Sequence, residues 1–229
     1  MLQKTITDVF FDLDHTLWDF EKNSALTFEI LFEKHHINLD LQEFLKHYVP
    51  INIKYWEMYR KDEITQSELR YGRLKETFDL VNYQTSDELI AFISHEYIQY
   101  LPTFSNLFEG TIEILEYLKP KYKLHIITNG FEEVQNKKMN SSGITHYFET
   151  ITNSEKSGAK KPNPIIFEHA MTVANAQKQT SIMIGDCIDA DVRGALDFGL
   201  KAIWFTQNPA QNQENVTQIS HLLELKKYL

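Results

Sequence analysis

The sequence predicts an α/β protein in which a mostly parallel sheet, with helices on both faces, is interrupted by one all-helical insertion. Three observations carry this. Five short runs rich in β-branched and aromatic residues read as buried strands, at 6–11, 124–128, 148–152, 182–184 and 202–205. Helix-period stretches at 132–141, 164–175 and 190–198 separate the later runs, and strands that alternate with helices favour parallel pairing. Between about residue 20 and about residue 100 the alternating pattern all but disappears and helical periodicity takes over.

Taken in order, the first strand ends at Phe11 and the helical interval follows from about residue 20. Its segments are expected at 24–35, 41–48, 55–61, 66–78 and 86–99. Asp40, Thr65 and the run Thr85-Ser86-Asp87 offer side-chain oxygens for helix starts, while Pro50 and Pro102 are expected to break the chain. The sheet resumes near Leu107. Pro164 suits the first turn of its helix, and Gly143 and Gly199 stand where helices should stop. Residues 206–218 are rich in Asn and Gln and read as a surface loop before a last helix. The expected division is a sheet core from 1–18 and 103–229, with a helical unit from 19–102 whose flanking segments, 18–23 and 100–106, act as hinges.

Composition narrows the class. The 229 residues carry a net charge of −9, so a phosphate backbone is repelled and binding of a nucleic acid polymer is disfavoured. One cysteine, Cys187, cannot form an internal disulfide, and no Cys-x-x-Cys is present to hold zinc. It reads as a small residue filling a tight loop. No apolar run approaches the roughly 18 residues of a membrane helix. The first residues lack a signal-peptide pattern. A soluble cytoplasmic protein is expected.

Ligands of open parallel sheets sit beyond the carboxyl ends of the strands. Asp12, Asp14 and Thr16 follow the first predicted strand, Thr128, Asn129 and Gly130 the second, and Gly185, Asp186, Asp189 and Asp191 the fourth. Lys160-Lys161-Pro162 precedes the helix that begins at Pro164. Asp12, Asp14 and Asp186 at one point would repel each other unless a cation joined them. All-oxygen ligation with neither His nor Cys suits a hard ion such as Mg²⁺. Thr128 and Lys161 are donors suited to phosphoryl oxygens. A carboxylate can serve as a nucleophile and a second one, two residues on, as acid and base. Singly, each Asp could equally be a turn or cap residue, Asp189 and Asp191 above all.

Asp12-Leu13-Asp14-His15-Thr16-Leu17, Thr128-Asn129, Lys161-Pro162 and Gly185-Asp186 followed by Asp191 resemble, in order, the four motifs of the haloacid dehalogenase-like hydrolase superfamily. The long first interval resembles the helical cap that one branch inserts after the first motif. The resemblance implies a Rossmann-like core with an all-helical cap, and Mg²⁺-dependent hydrolysis of a small phosphomonoester. It implies Asp12 as the nucleophile, Asp14 as acid and base, and Thr128 and Lys161, with Asn129, as phosphoryl-binding residues. It implies metal binding by Asp12, the backbone carbonyl of Asp14 and Asp186, with Asp191 in or near the shell around them. The dehalogenases lack the second aspartate, so Asp14 favours phosphate chemistry.

The stretch from His15 through Trp18, Phe20 and Glu21 is similar to a pyrimidine 5′-nucleotidase subgroup, which implies a nucleoside monophosphate as substrate. A phosphoglycolate or sugar-phosphate phosphatase is the alternative within the superfamily. A receiver-type signalling module also presents Asp, Thr or Ser, and Lys on a similar sheet. It would be about half this length and would carry its phosphoacceptor after the third strand, not the first. The aromatic group Tyr48, Tyr55, Trp56 and Tyr59 reads as the cap's own core ahead of a base-stacking platform.

Overall fold

A computed structural model of the chain describes residues 5–208 and 216–229. Strands β1 (Asp8–Phe11), β2 (Lys123–Thr128), β3 (Thr150–Asn153), β4 (Ser181–Gly185), β5 (Lys201–Phe205) and β6 (Thr217–Ile219) form one sheet in the order β3-β2-β1-β4-β5-β6. Every pairing is parallel, giving the Rossmann-like core. The chain winds outward in one direction from β1 through β2 to β3, and in the other from β4 through β5 to β6. The order therefore reverses between β1 and β4, where such sheets open a crevice at their carboxyl edge. Phe11 is level with both Ile126 and Ile184, so the residues following β1 and β4 emerge side by side.

The central strand explains its own composition. Val9, Phe10 and Phe11 are wholly buried, as a strand covered on both faces requires. Phe10, Ile127 and Met183 pack against Ile166, Phe167, Ala170 and Met171, which lie on the helix Pro164–Ala174. His125 is a buried polar residue of β2. It meets Asp8 at 3.3 Å and Thr150 at 2.9 Å, and burial lowers its imidazole below the ordinary value.

The chain separates into two compact units, one running to Phe20 and resuming at Asn106, the other Glu21–Ser105. In the first unit the outgoing and returning segments are laced together. Trp18 and Leu107 form an antiparallel bridge, Asp19 N donates to Asn106 O at 3.1 Å, and Phe108 N donates to Leu17 O at 3.0 Å.

The helical unit is built from α1 (Phe20–Lys34), α2 (Leu41–Arg60), α3 (Gln66–Leu80) and α4 (Asp87–Tyr100). Asp40, Thr65 and Ser86 cap α2, α3 and α4 through their side chains, and Glu68 completes a capping box with Thr65. Phe28 anchors an aromatic core, with its ring 4.9 Å from Phe44, 4.6 Å from Tyr48 and 5.0 Å from Tyr97. Tyr48 thus belongs to the interior of this unit. Arg73 is buried there too, bonded to Asn52 at 2.8 Å.

Four expectations are corrected. Pro50 does not break the chain, because α2 runs through it as one helix. Both Pro50 and Lys46, whose carbonyl loses its helical partner, are exposed, so water can satisfy that carbonyl. The span 206–218 is not wholly loop. Its residues Thr217 and Gln218 open β6, while 209–215 lie outside the described residues. The last helix is a 3₁₀ segment, Leu222–Lys227. The expected helix at 190–198 divides into a π-helical turn, Ile188–Arg193, and the helix Gly194–Phe198. Helix α5 (Thr111–Leu118), not singled out in the sequence, follows the return into the core, and α6 (Glu132–Ser141) falls as expected. No described helix is long and apolar enough to cross a membrane.

Candidate active site

The ammonium group of Lys161 is fully enclosed at the carboxyl edge of the sheet. It donates to Asp12 Oδ1 at 2.5 Å and to the carbonyl of Ile127 at 2.6 Å, and stands 2.7 Å from Asp191 Oδ1. Burial alone would lower a lysine; Asp12 and Asp191 outweigh it and hold Lys161 above its ordinary range. Asn129 fixes the backbone of this residue from both sides, accepting from Lys161 N at 2.7 Å and donating to Lys161 O at 3.0 Å. The side chain expected to touch substrate is therefore engaged in placing Lys161. The neighbouring Lys160 is half-buried.

Asp12 leaves β1 with its N–H bonded to Ile184 O at 2.9 Å. Its carboxylate, with those of Asp186 and Asp191, forms a group whose oxygens lie within 4.8 Å of one another. Burial pushes the Asp12 carboxyl well up, the charges of Asp191 and Asp186 add to this, and Lys161 opposes it. Asp186 is pushed up to about 8 by burial and by Asp191. Thr16 Oγ1 donates to Asp186 Oδ1 at 3.3 Å. Three carboxylates and one ammonium leave a formal charge of −2, which one divalent ion balances, and hard oxygen donors suit Mg²⁺.

The turn after β4 explains why Asp191, not Asp189, joins this group. Asp191 sits within the π-helical turn and accepts from Cys187 N at 3.0 Å. Asp189 points outward and pairs with Arg193 at 2.6 Å. Gly185 makes room, since a Cβ there would stand 2.3 Å from Asp191 Oδ2.

The Asp14 carboxylate is not in the acidic group. Lys138 donates to its Oδ1 at 2.6 Å, and Gln135 Nε2 donates to its Oδ2 at 2.9 Å. The same Nε2 donates to Thr128 Oγ1 at 2.7 Å, and Gly130 N donates to that oxygen at 3.1 Å. Gln135 and Lys138 lie on the buried face of α6 beside Val134 and Met139. The Lys138 ammonium lies 4.4 Å from the Trp18 ring centre and 5.4 Å from that of Phe20. The sequence reading did not select Gln135 or Lys138. Their signal was two polar residues set within the apolar stripe of a helix that must face the sheet.

A parallel sheet with carboxylates, a buried lysine and a threonine gathered at its switch point is an arrangement able to hold a hard cation and the oxygens of an anionic ligand. The chain belongs to the haloacid dehalogenase-like hydrolase family, whose pattern matches residues 9–205. It is 26% identical over 225 residues to pyrimidine 5′-nucleotidase YjjG of Escherichia coli (strain K12), covering 96% of each chain. Pyrimidine 5′-nucleotidase PynA of Streptococcus pneumoniae is 29% identical over 220 residues, which is 95% of this chain and 90% of that protein. Among solved structures, the magnesium-bound hydrolase YfnB of Bacillus subtilis superposes with a TM-score of 0.89 at 27% identity, covering 99% of both chains. The chain is thus a hydrolase whose relatives include phosphatases.

Proposed function

We propose that this protein is a Mg²⁺-dependent phosphomonoester hydrolase that acts through an aspartyl-phosphate on Asp12, with pyrimidine nucleoside 5′-monophosphates as substrates. The observation that carries the chemistry is the meeting of Asp12, Lys161, Asp186 and Asp191 at one point of the crevice. Similarity to two pyrimidine 5′-nucleotidases along nearly their full lengths supports the substrate class. We place the protein in the cytoplasm, which suits a chain with one cysteine.

Asp12, Asp186 and the backbone carbonyl of Asp14 would hold the ion, with Asp191 against them. When bound, Mg²⁺ supplies positive charge that offsets the negative charge of the phosphoryl group and of the carboxylates around it. Asp12 attacks phosphorus in line, so an Oδ–P bond forms as the bond to the ribose 5′ oxygen breaks. Asp14 gives that oxygen its proton. In the second half, Asp14 takes a proton from water, whose oxygen displaces Asp12 from phosphorus and restores the free carboxylate. Lys161 and Thr128 bind the phosphoryl oxygens throughout.

The test is phosphate release with Mg²⁺ from a panel of pyrimidine and purine monophosphates, phosphoglycolate and sugar phosphates. Selective turnover of uridine or thymidine monophosphate is expected. D12N should lower kcat by roughly 10³-fold or more, and EDTA should abolish release. Normal turnover by D12N would remove Asp12 as nucleophile. A preference for phosphoglycolate or sugar phosphates would overturn the nucleotidase assignment and leave the chemistry standing.

A further inference from the structure

We infer that Lys138 and Gln135 are positioning residues for Asp14, holding the carboxylate that transfers the proton to the leaving group. The inference rests on the phosphatase reading above and goes beyond it by assigning helix α6 a part in the reaction.

Each Asp14 oxygen has its own donor. Lys138 takes Oδ1 at 2.6 Å and Gln135 takes Oδ2 at 2.9 Å. Residues three apart on a helix share a face, so both donors come from one rigid element and rotation of the carboxylate breaks at least one bond. Gln135 is also oriented by this task. Its Nε2 serves Asp14 and Thr128, while its buried Oε1 has no hydrogen-bond partner among the described residues. The amide is held by its donor end alone. One side chain thereby ties the proton-transfer carboxylate to the phosphoryl-binding hydroxyl at fixed spacing.

Lys138 is buried to a degree that lysine rarely accepts without a partner. The faces of Trp18 and Phe20 confine its ammonium. Trp18 is fixed in turn by its indole N–H, which donates to Ser142 Oγ at 3.1 Å. Trp18 and Phe20, the latter opening α1, thus act on Asp14 through Lys138. A misplacement of about 1 Å at such a group can cost on the order of 10²-fold in rate, so fixing it has kinetic weight.

A merely structural lysine and a positioning lysine differ in one readout, the dependence on leaving group. The ratio kcat/KM covers steps up to departure of the leaving group, so the later attack of water drops out. An alkoxide needs the proton from Asp14, whereas p-nitrophenolate leaves as a stable anion. We would compare wild type, K138M and K138Q on p-nitrophenyl phosphate and on the alkyl monophosphate that the wild type turns over best. K138M should lose on the order of 10²-fold in kcat/KM on the alkyl substrate, and at least about tenfold less on the aryl one. K138Q keeps a donor and should fall between wild type and K138M; it also serves if K138M does not fold. Equal losses on both substrates in K138Q, or no loss in either variant, would overturn the inference. A wild type inactive on every phosphomonoester would overturn the phosphatase reading and, separately recognisable, this inference with it.

Discussion

Lys161 shows how much can depend on one side chain. It stands between two carboxylates and a backbone carbonyl, away from water, and removing it would leave Asp12 and Asp191 facing each other without a cation. Loss of one partner from a buried pair costs about 3–5 kcal/mol, so its contribution to stability is not separable from its contribution to binding. The neighbouring constraint is Gly185. We expect G185A to displace Asp191, with a loss of roughly 10- to 100-fold in Mg²⁺ affinity and about 1–3 kcal/mol of stability from overpacking. Mg²⁺ titration followed by calorimetry and thermal unfolding checks both, and wild-type affinity in G185A would show that Asp191 has no part in holding the ion. At this scale the sequence was informative wherever a residue followed a strand. Asp12, Thr128 and Asp186 could be selected because strand ends converge on one edge, whereas Lys161 and Asp191 were selected by their resemblance to the family's motifs. Lys161 and Lys160 were told apart by the adjoining proline alone, and the structure separates them by burial. For Gln135 and Lys138 the one local signal was their place in the apolar stripe of α6, and it did not name their partner, because Asp14 is more than a hundred residues away in sequence.

Among the elements, strand and helix types followed from periodicity, and the caps at Asp40, Thr65 and Ser86 followed from the chemistry of their oxygens. The departures share a cause, which is tertiary packing overriding a local signal. Helix α2 continues through Pro50 because Phe44, Tyr48, Ile51 and Asn52 bury one continuous face while the proline lies on the exposed side. P50A restores the lost N–H and removes the steric conflict, so it should stabilise the helical unit by about 1–3 kcal/mol. Urea unfolding followed by circular dichroism reads this directly, and a loss of stability would mean that the proline matches a bend the unit needs. β6 escaped notice because three residues carry too little alternation to register, and its partner Phe205 supplies the pairing. The π-helical turn could not be read either. Its extra residue is what lets Asp191 reach back to Cys187 N and on to Lys161.

For the molecule as a whole, the acidic group links folding to pH and to metal. Burial and the neighbouring Asp191 raise the Asp186 carboxyl to about 8, against about 3.9 in an unfolded chain. Between these values the folded protein holds a proton that the unfolded chain has released, so the stability from this group falls as pH rises. In EDTA the melting temperature should therefore drop from pH 6 to pH 8, more in wild type than in D186N. Added Mg²⁺ should raise it and flatten the slope, since binding to the folded state alone stabilises by mass action. A melting temperature that does not respond to Mg²⁺ at pH 8 would sink this account. The laced segments at Trp18 and Leu107 carry a different consequence, which concerns exchangeability. The excursion of roughly 85 residues begins and ends on backbone groups already bonded to each other, so its closure entropy is met by the core itself. No strand of the sheet depends on how long the excursion is or what it contains. Such an insert is a cartridge in a fixed socket, open to replacement, shortening or drift while the sheet and its chemistry stay the same.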